Sequence, residues 1–147
     1  MHLQESGEMY LETVYILTKK SDSVRSIDIC EYMGYSKPSV SRAVGLLKEG
    51  GYVVADKDGY LSLTDIGLET AEKILARHKV ITEYLIKLGV SPDTASNDAC
   101  KIEHHLSDKT FMAIKKHHLI IHQEQLEYIG KKNVISGEQE FLLMEIR

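Results

Sequence analysis

The segment between residues 36 and 64, SKPSVSRAVGLLKEGGYVVADKDGYLSLT, constrains the fold more than any other part of the chain. Ser36 can cap a helix whose first turn contains Pro38, and Gly50-Gly51 can end that helix. Two short apolar runs then flank Asp58-Gly59, a dipeptide that supplies positive φ in a tight hairpin turn. The segment therefore predicts a helix followed directly by a two-stranded β-hairpin.

Two shorter helices are predicted before this segment. Apolar residues recur at helical spacing over residues 8–19. A second helix is expected over residues 26–33, with Ser26 as its N-cap and Gly34 just past its end. The order helix, helix, helix, hairpin is that of a winged helix-turn-helix, which we assign to residues 1–70. In the capped helix we expect a buried stripe formed by Val40, Val44 and Leu47.

The second half of the chain, residues 71–147, is predicted to be entirely helical. A long helix capped by Thr64 should run to about Leu88, and its apolar seam has the spacing that two packed helices share: Ala71, Ile74, His78, Ile81, Leu85 and Leu88. A helix from Ser91 through His105 and another opening at Ser107-Asp108 should follow. The fold class is therefore mainly α, with a small hairpin wing. Because the helical half exposes surplus apolar surface, we expect it to form a homodimer.

Composition excludes several classes of protein. The chain has 147 residues, a net charge of −4 and two cysteines. It contains no apolar run near the roughly 20 residues that cross a bilayer, and its first residues do not resemble a secretory signal. Two cysteines imply no disulfide framework, so we expect a cytoplasmic protein that does not interact with membranes.

The polar face of the capped helix and the tip of the hairpin are candidates for reading double-stranded DNA. Hydroxyls, basic side chains and exposed helix N-terminal amides suit phosphates and base edges in a major groove. The candidate residues are Ser36, Lys37, Pro38, Ser39, Ser41, Arg42 and Lys57. Four basic and two acidic residues between positions 37 and 57 give a local charge of +2, opposite in sign to the whole chain. The alternative is that this segment only packs and its polar face is simply solvated.

A second group of polar residues suggests a metal site. Cys100, Glu103 and His104 stand at i, i+3 and i+4, so on a helix their side chains converge, whereas His105 points elsewhere. Met9 and Glu12 share a face of the first helix in the same way, and His78 interrupts the apolar seam of the long helix, where it needs a polar partner. Taken singly, the methionine, the histidine and the cysteine could each be core residues. Apolar packing alone, however, does not explain an acid and an imidazole beside a thiol.

These motifs carry a resemblance to a known family. EMYLETVY (8–15), SKPSVSRAV (36–44), Arg77-His78 and DACKIEHHLSD (98–108) resemble the metal-dependent transcriptional repressors that include the diphtheria toxin repressor and the manganese transport regulator. The resemblance covers roughly residues 3–120. It implies a cytoplasmic homodimer in the two-domain form, without the SH3-like domain of longer members. It also implies that metal binds where the DNA-binding and dimerisation domains meet.

The resemblance also implies a ligand set. Met9, Cys100, Glu103 and His104 match the primary site of iron-type members, in which a water held by the Leu3 carbonyl completes the coordination sphere. His78 matches a ligand used in both branches, and Glu12 matches a ligand of the manganese-type branch. Thioether and thiolate donors soften a site, so we expect Fe(II) first and Mn(II) second, with Co(II), Ni(II) or Zn(II) binding in vitro. Thr82 lies where many relatives have a second-site glutamate, although Glu83 is next to it, and a second metal there would use Glu12 and His78 as well.

These expectations define a function and its alternatives. We expect a metal-activated repressor of iron or manganese uptake genes, in which the ion fixes the distance between recognition helices that read a palindromic operator, and no small organic substrate. One alternative is a winged-helix redox sensor that uses Cys100 or Cys30. A metalloenzyme and a metal-binding scaffold that does not touch DNA are the others. The run His117, His118 and His122 is interpreted as solvated and weakly metal-attracting.

Overall fold

The computed structural model describes residues 3–130 as helices joined by short connections and one hairpin. The elements in chain order are α1 (Glu5–Lys20), α2 (Ser26–Met33), α3 (Lys37–Glu49), β1 (Val53–Ala55), β2 (Leu61–Leu63), α4 (Asp65–Lys87), α5 (Pro92–Ile102) and α6 (Asp108–Gly130). The predicted class, a winged helix-turn-helix followed by helices, is confirmed. The described residues contain no helix long and apolar enough to cross a membrane.

Helix α3 and the hairpin form as the sequence predicts. The Ser36 hydroxyl accepts a hydrogen bond from the Ser39 N–H, and α3 ends at Glu49, just before the glycine pair. The strands pair antiparallel, with Val53 opposite Leu63. Gly59 alone supplies the positive φ in the turn, at +82°. Asp58 does not have a positive φ. The turn is also stabilised by the Asp56 carboxylate, which accepts hydrogen bonds from the Asp58 and Tyr60 N–H groups, each 2.9 Å long.

The hydrophobic core joins α2, α3 and the hairpin to α1 and to the start of α4. Its most deeply buried side chains come from every element of this region and include Leu11, Val14, Ile29, Val40, Leu47, Val53 and Ala71. The predicted stripe on α3 is fully buried within this core. Because α1 packs against α2, α3 and α4, a displacement of α1 changes its packing against all three helices.

Two helix boundaries differ from the prediction. The N-cap of α2 is Arg25 rather than Ser26, because the Asp28 carboxylate accepts the Arg25 N–H at 2.7 Å. Helix α5 ends at Ile102 instead of continuing through His105. At this end of the helix the Arg77 guanidinium of α4 donates to the Glu103 carbonyl at 3.2 Å.

The chain divides into two compact units, residues 1–107 and residues 108–147. In the first, α4 is one continuous helix, and its seam is buried at Ile74 and Ile81 but 61% exposed at Leu88. In the second, α6 begins at the predicted position and includes the apolar cluster at residues 119–121. The cluster at residues 141–144 lies outside the described residues. The domain boundary between residues 70 and 71 stays a prediction.

Gly67 is required for the close contact between the wing and α4. A Cβ atom at this position would lie 1.9 Å from the Tyr52 carbonyl oxygen, far inside van der Waals contact. The Thr64 hydroxyl stabilises the same contact. It donates to the Gly51 carbonyl at 2.6 Å and accepts the Gly67 N–H as the N-cap of α4. The wing therefore meets α4 backbone to backbone.

We expect Gly67→Ala to lower the free energy of unfolding by more than about 2 kcal/mol, because the new methyl must displace backbone. Gly45→Ala is the matched control: it lies within α3, and its Cβ would meet nothing within 4 Å. That change should raise stability by up to about 1 kcal/mol, the helix-propensity difference. Urea denaturation of the two variants measures both effects, and equal midpoints would contradict the proposed close contact.

Candidate metal centre and DNA-reading surface

Three side chains from α1 and the turn after α5 come together in the first unit. One oxygen of Glu12, one oxygen of Glu103 and one ring nitrogen of His104 all lie within 4.8 Å of one another. The Glu103 and His104 side chains are each 1% exposed. Two carboxylates and an imidazole in this arrangement are ligands that a divalent transition metal accepts. We call these three residues the acidic cluster.

Glu103 is held by α4 on one side and faces His104 on the other. Its Oε2 lies 2.8 Å from Nδ1 of His78, so the seam histidine has the polar partner that its position requires. Its Oε1 faces Nε2 of His104 at 3.2 Å, but the approach is too bent for a hydrogen bond. Both atoms are buried without a hydrogen-bond partner among the described residues. Buried polar atoms without a hydrogen-bond partner are rare and destabilising. A cation bound between these two atoms would give each of them a partner. The cluster therefore fits a divalent ion.

Glu8 is a contributor that sequence reasoning missed. Its Oε2 lies 2.6 Å from Nδ1 of His104, across 96 residues of sequence. A carboxylate on one nitrogen of a histidine directs the other nitrogen toward a metal and fixes the ring orientation. One signal was available: Glu8 stands four residues before Glu12, on the same face of α1.

The acidic cluster brings the carboxylates of Glu12 and Glu103 close together. Burial, and then repulsion by Glu103, raise the pKa of Glu12 above its ordinary value. The interaction with Glu103 and the hydrogen bond with Glu8 raise the pKa of His104 to about 9. Without an ion, both ring nitrogens of His104 are therefore protonated at neutral pH, and the imidazole is positively charged. A metal that binds there must displace one of these protons and in return offsets the carboxylate repulsion.

The thioether and the thiol lie beside the cluster rather than within it. Of the three residues expected to converge, Glu103 and His104 join the acidic cluster, whereas Cys100 lies beside it. Cys100 is exposed and shares a cleft of about 280 Å³ with Met9 and Glu12. The ligand roles of Met9, Cys100 and His78 stay predictions. His105 turns away, as expected, and pairs with Glu5 at 3.0 Å on the exposed side.

The thiol environment bears on the redox alternative. Burial, followed by the charges of Glu103 and Glu12, raises the pKa of Cys100 above its ordinary value. A raised pKa reduces the thiolate fraction, and the thiolate is the reactive species. The second cysteine, Cys30, is buried in the core. Nothing in these surroundings favours a redox sensor.

The candidate DNA-reading residues form an exposed surface. All seven are solvent-exposed: Ser36, Lys37, Pro38, Ser39, Ser41, Arg42 and Lys57. At the start of α3 the Ser36 hydroxyl donates to the Ser39 hydroxyl at 2.9 Å. Gly45 leaves open space beside α3, as a close approach to a duplex would require. Beside the wing, the Arg25 guanidinium lies 4.4 Å over the Tyr60 ring.

Comparisons with known proteins match both halves of the chain. Residues 2–61 match the family described as iron dependent repressor, N-terminal DNA binding domain. Residues 64–118 match the family described as iron dependent repressor, metal binding and dimerisation domain. The chain belongs to the iron-dependent repressor family. It is therefore a metal-dependent, DNA-binding transcriptional regulator that dimerises through its second domain. Because the family consists of DNA-binding repressors, the two alternatives of a metalloenzyme and of a metal-binding scaffold that does not bind DNA are excluded.

Named relatives agree with this assignment. The chain is 33% identical over 115 residues to MJ0568, an HTH-type transcriptional regulator of Methanocaldococcus jannaschii, covering 77% of this chain and 92% of that protein. It is 30% identical over 114 residues to the transcriptional regulator MntR of Escherichia coli O157:H7, covering 78% and 74%.

Two solved structures share the fold. The manganese regulator SloR is 28% identical, with a TM-score of 0.67, and covers 80% of this chain and 54% of its own. A manganese-dependent transcriptional repressor in complex with manganese is 26% identical, with a TM-score of 0.69, and covers 76% and 52%. This chain thus spans about half the length of these two proteins.

We expect Glu8→Ala to weaken Mn(II) binding by roughly tenfold to hundredfold, because His104 loses the carboxylate that orients it. Glu5→Ala is the matched control, since Glu5 lies one turn earlier on α1 and pairs with the exposed His105. Calorimetric titration of the metal-depleted chain measures both affinities. Equal losses in the two variants would indicate a general charge effect and contradict the positioning role of Glu8.

Proposed function

We propose that the chain represses metal-uptake genes, and that a divalent ion at the acidic cluster favours the conformation that binds the operator. The carrying observation is the buried pair formed by Oε1 of Glu103 and Nε2 of His104, which face each other at 3.2 Å beside Glu12 without making a hydrogen bond. A bound cation would supply the missing partner for both atoms and offset the repulsion between the two carboxylates.

The cluster connects elements that have different tasks. Glu12 stands on α1, which packs into the core of the DNA-reading unit through Leu11 and Val14. Glu103 and His104 follow α5, which packs against α4 in the region that matches the dimerisation domain. Joining Glu12 to the turn after α5 therefore fixes α1, and with it α3, relative to the dimerisation helices.

Such a restraint matters because two recognition helices of a dimer must match two half-sites one helical turn apart. We propose a palindromic operator in double-stranded DNA, read by the exposed N-terminal residues of α3, with Lys57 of the wing on a flanking phosphate. Metal and operator would then strengthen each other's binding, typically by about 1–3 kcal/mol. In this proposal the protein acts in the cytoplasm, without membranes or a small organic substrate.

Fe(II) remains our first choice of metal and Mn(II) our second. The two carboxylates of the acidic cluster suit either ion, and several relatives are named for manganese. Met9 and Cys100 line the adjoining cleft together with Glu12, so their sulfur atoms are the nearest additional donors that a softer ion could recruit. Substituting Cys100→Glu should therefore shift the preference from Fe(II) toward Mn(II).

We expect Arg42→Ala to weaken operator binding by roughly tenfold to hundredfold, because a base or phosphate contact is lost. Lys73→Ala is the matched control, an exposed cation on α4 that pairs with Glu69. The DNA is the duplex that the metal-loaded protein selects from a random library, and fluorescence anisotropy measures affinity. Weakening of equal size in both variants would contradict reading by α3.

The metal dependence is tested in the same assay. We expect wild-type affinity for the selected duplex to fall at least about fivefold when a chelator replaces Fe(II) or Mn(II), the lower end of ordinary coupling energies. In Glu12→Gln the difference between the two conditions should shrink, because one ligand is neutral. Equal wild-type affinity with and without metal would refute the proposed mechanism.

A further inference from the structure

Helix α6 carries three histidines that the acidic cluster does not use. His118 and His122 stand four residues apart, so they share one face of the helix. Their ring centroids are 6.4 Å apart and their planes differ by 17°. His118 is only 6% exposed, so the interpretation of this run as fully solvated is wrong for His118. His117, about 100° around the helix, is exposed.

We propose that His118 and His122 form a second metal site, which takes a borderline ion such as Ni(II), Zn(II) or Co(II). Two histidines at i and i+4 on one helix are the arrangement by which helical zinc motifs bind their ion. Each ring nitrogen must come within about 2.1 Å of the metal. The rings already lie side by side, with nearly parallel planes, on one face of α6.

The neighbours on this face set the strength and the preference of the site. Gln125, three residues after His122, offers an amide oxygen as a third donor. Lys115, three residues before His118, places a positive charge nearby and keeps the affinity modest. No carboxylate shares the face at these spacings. Manganese prefers oxygen donors, so this site discriminates against Mn(II), unlike the acidic cluster.

This difference in donor chemistry gives a direct test on the full-length chain. Metal-depleted protein is titrated calorimetrically with Ni(II) and, separately, with Mn(II). We expect wild type to bind one more equivalent of Ni(II) than of Mn(II). His122→Ala should lose this additional equivalent, whereas His117→Ala, the matched control one residue before His118, should retain it. Because His118 is buried, His122 is the better position to change.

Three outcomes would overturn the proposal: no additional Ni(II) equivalent in wild type, its retention in His122→Ala, or its equal loss in His117→Ala. A His122→Gln variant, which keeps a polar side chain of similar size, should show the same loss as His122→Ala if the imidazole is the ligand. Manganese-dependent operator binding should be unchanged in His122→Ala. Failure of the second site and failure of the proposed regulatory mechanism are therefore distinguishable.

Discussion

The hydrogen bond between His78 and the buried carboxylate of Glu103, 2.8 Å long, organises the metal centre. A carboxylate that is 1% exposed is unfavourable unless its oxygens find partners, and α4 supplies one through His78. Arg77, the preceding residue, holds the Glu103 carbonyl. Together these contacts hold Glu103 at the end of α5, where its second carboxylate oxygen lies 3.2 Å from Nε2 of His104. The position of the candidate ion is thus a consequence of how α4 and α5 pack.

Helix α1 also positions the acidic cluster, because one of its faces packs in the core and the other reaches the turn after α5. Leu11 and Val14 are completely buried against the DNA-reading core. Glu8 and Glu12, one turn apart, reach the turn after α5. A close-packed core does not deform continuously, so in the proposed mechanism a metal bound by Glu12 would shift α3 as part of a movement of whole elements. In that mechanism the same helix stabilises the winged domain and connects it to the metal.

Local signals predicted the fold well. Ser36, Thr64 and Gly59 each act through neighbours a few residues away, so their roles follow from sequence spacing. The site was harder to predict. The helix was expected to continue to His105, but it ends at Ile102, next to the point where Arg77 and His78 of α4 contact Glu103.

Long-range contacts explain the other omissions. The partner of Glu8 lies 96 residues away, so no local pattern reports their hydrogen bond. The need for glycine at position 67 arises only when the Tyr52 carbonyl of the wing is in place. The burial of His118 likewise cannot be inferred from a run of polar residues. Each of these facts depends on packing between elements, which spacing along one element does not encode.

The second ring proton of His104 bears on the stability of the acidic cluster when no ion is bound. A site of carboxylates alone would repel itself strongly without metal, and a metal-depleted chain would lose stability together with its regulatory state. Here Glu8 and Glu103 raise the pKa of His104 to about 9, so an imidazolium offsets part of the acidic charge when no ion is bound. An incoming metal must displace this proton, and this competition offsets part of the affinity that Glu8 provides by orienting the His104 ring. A regulator needs a limited affinity, because a site that never releases its ion cannot report that the metal has become scarce.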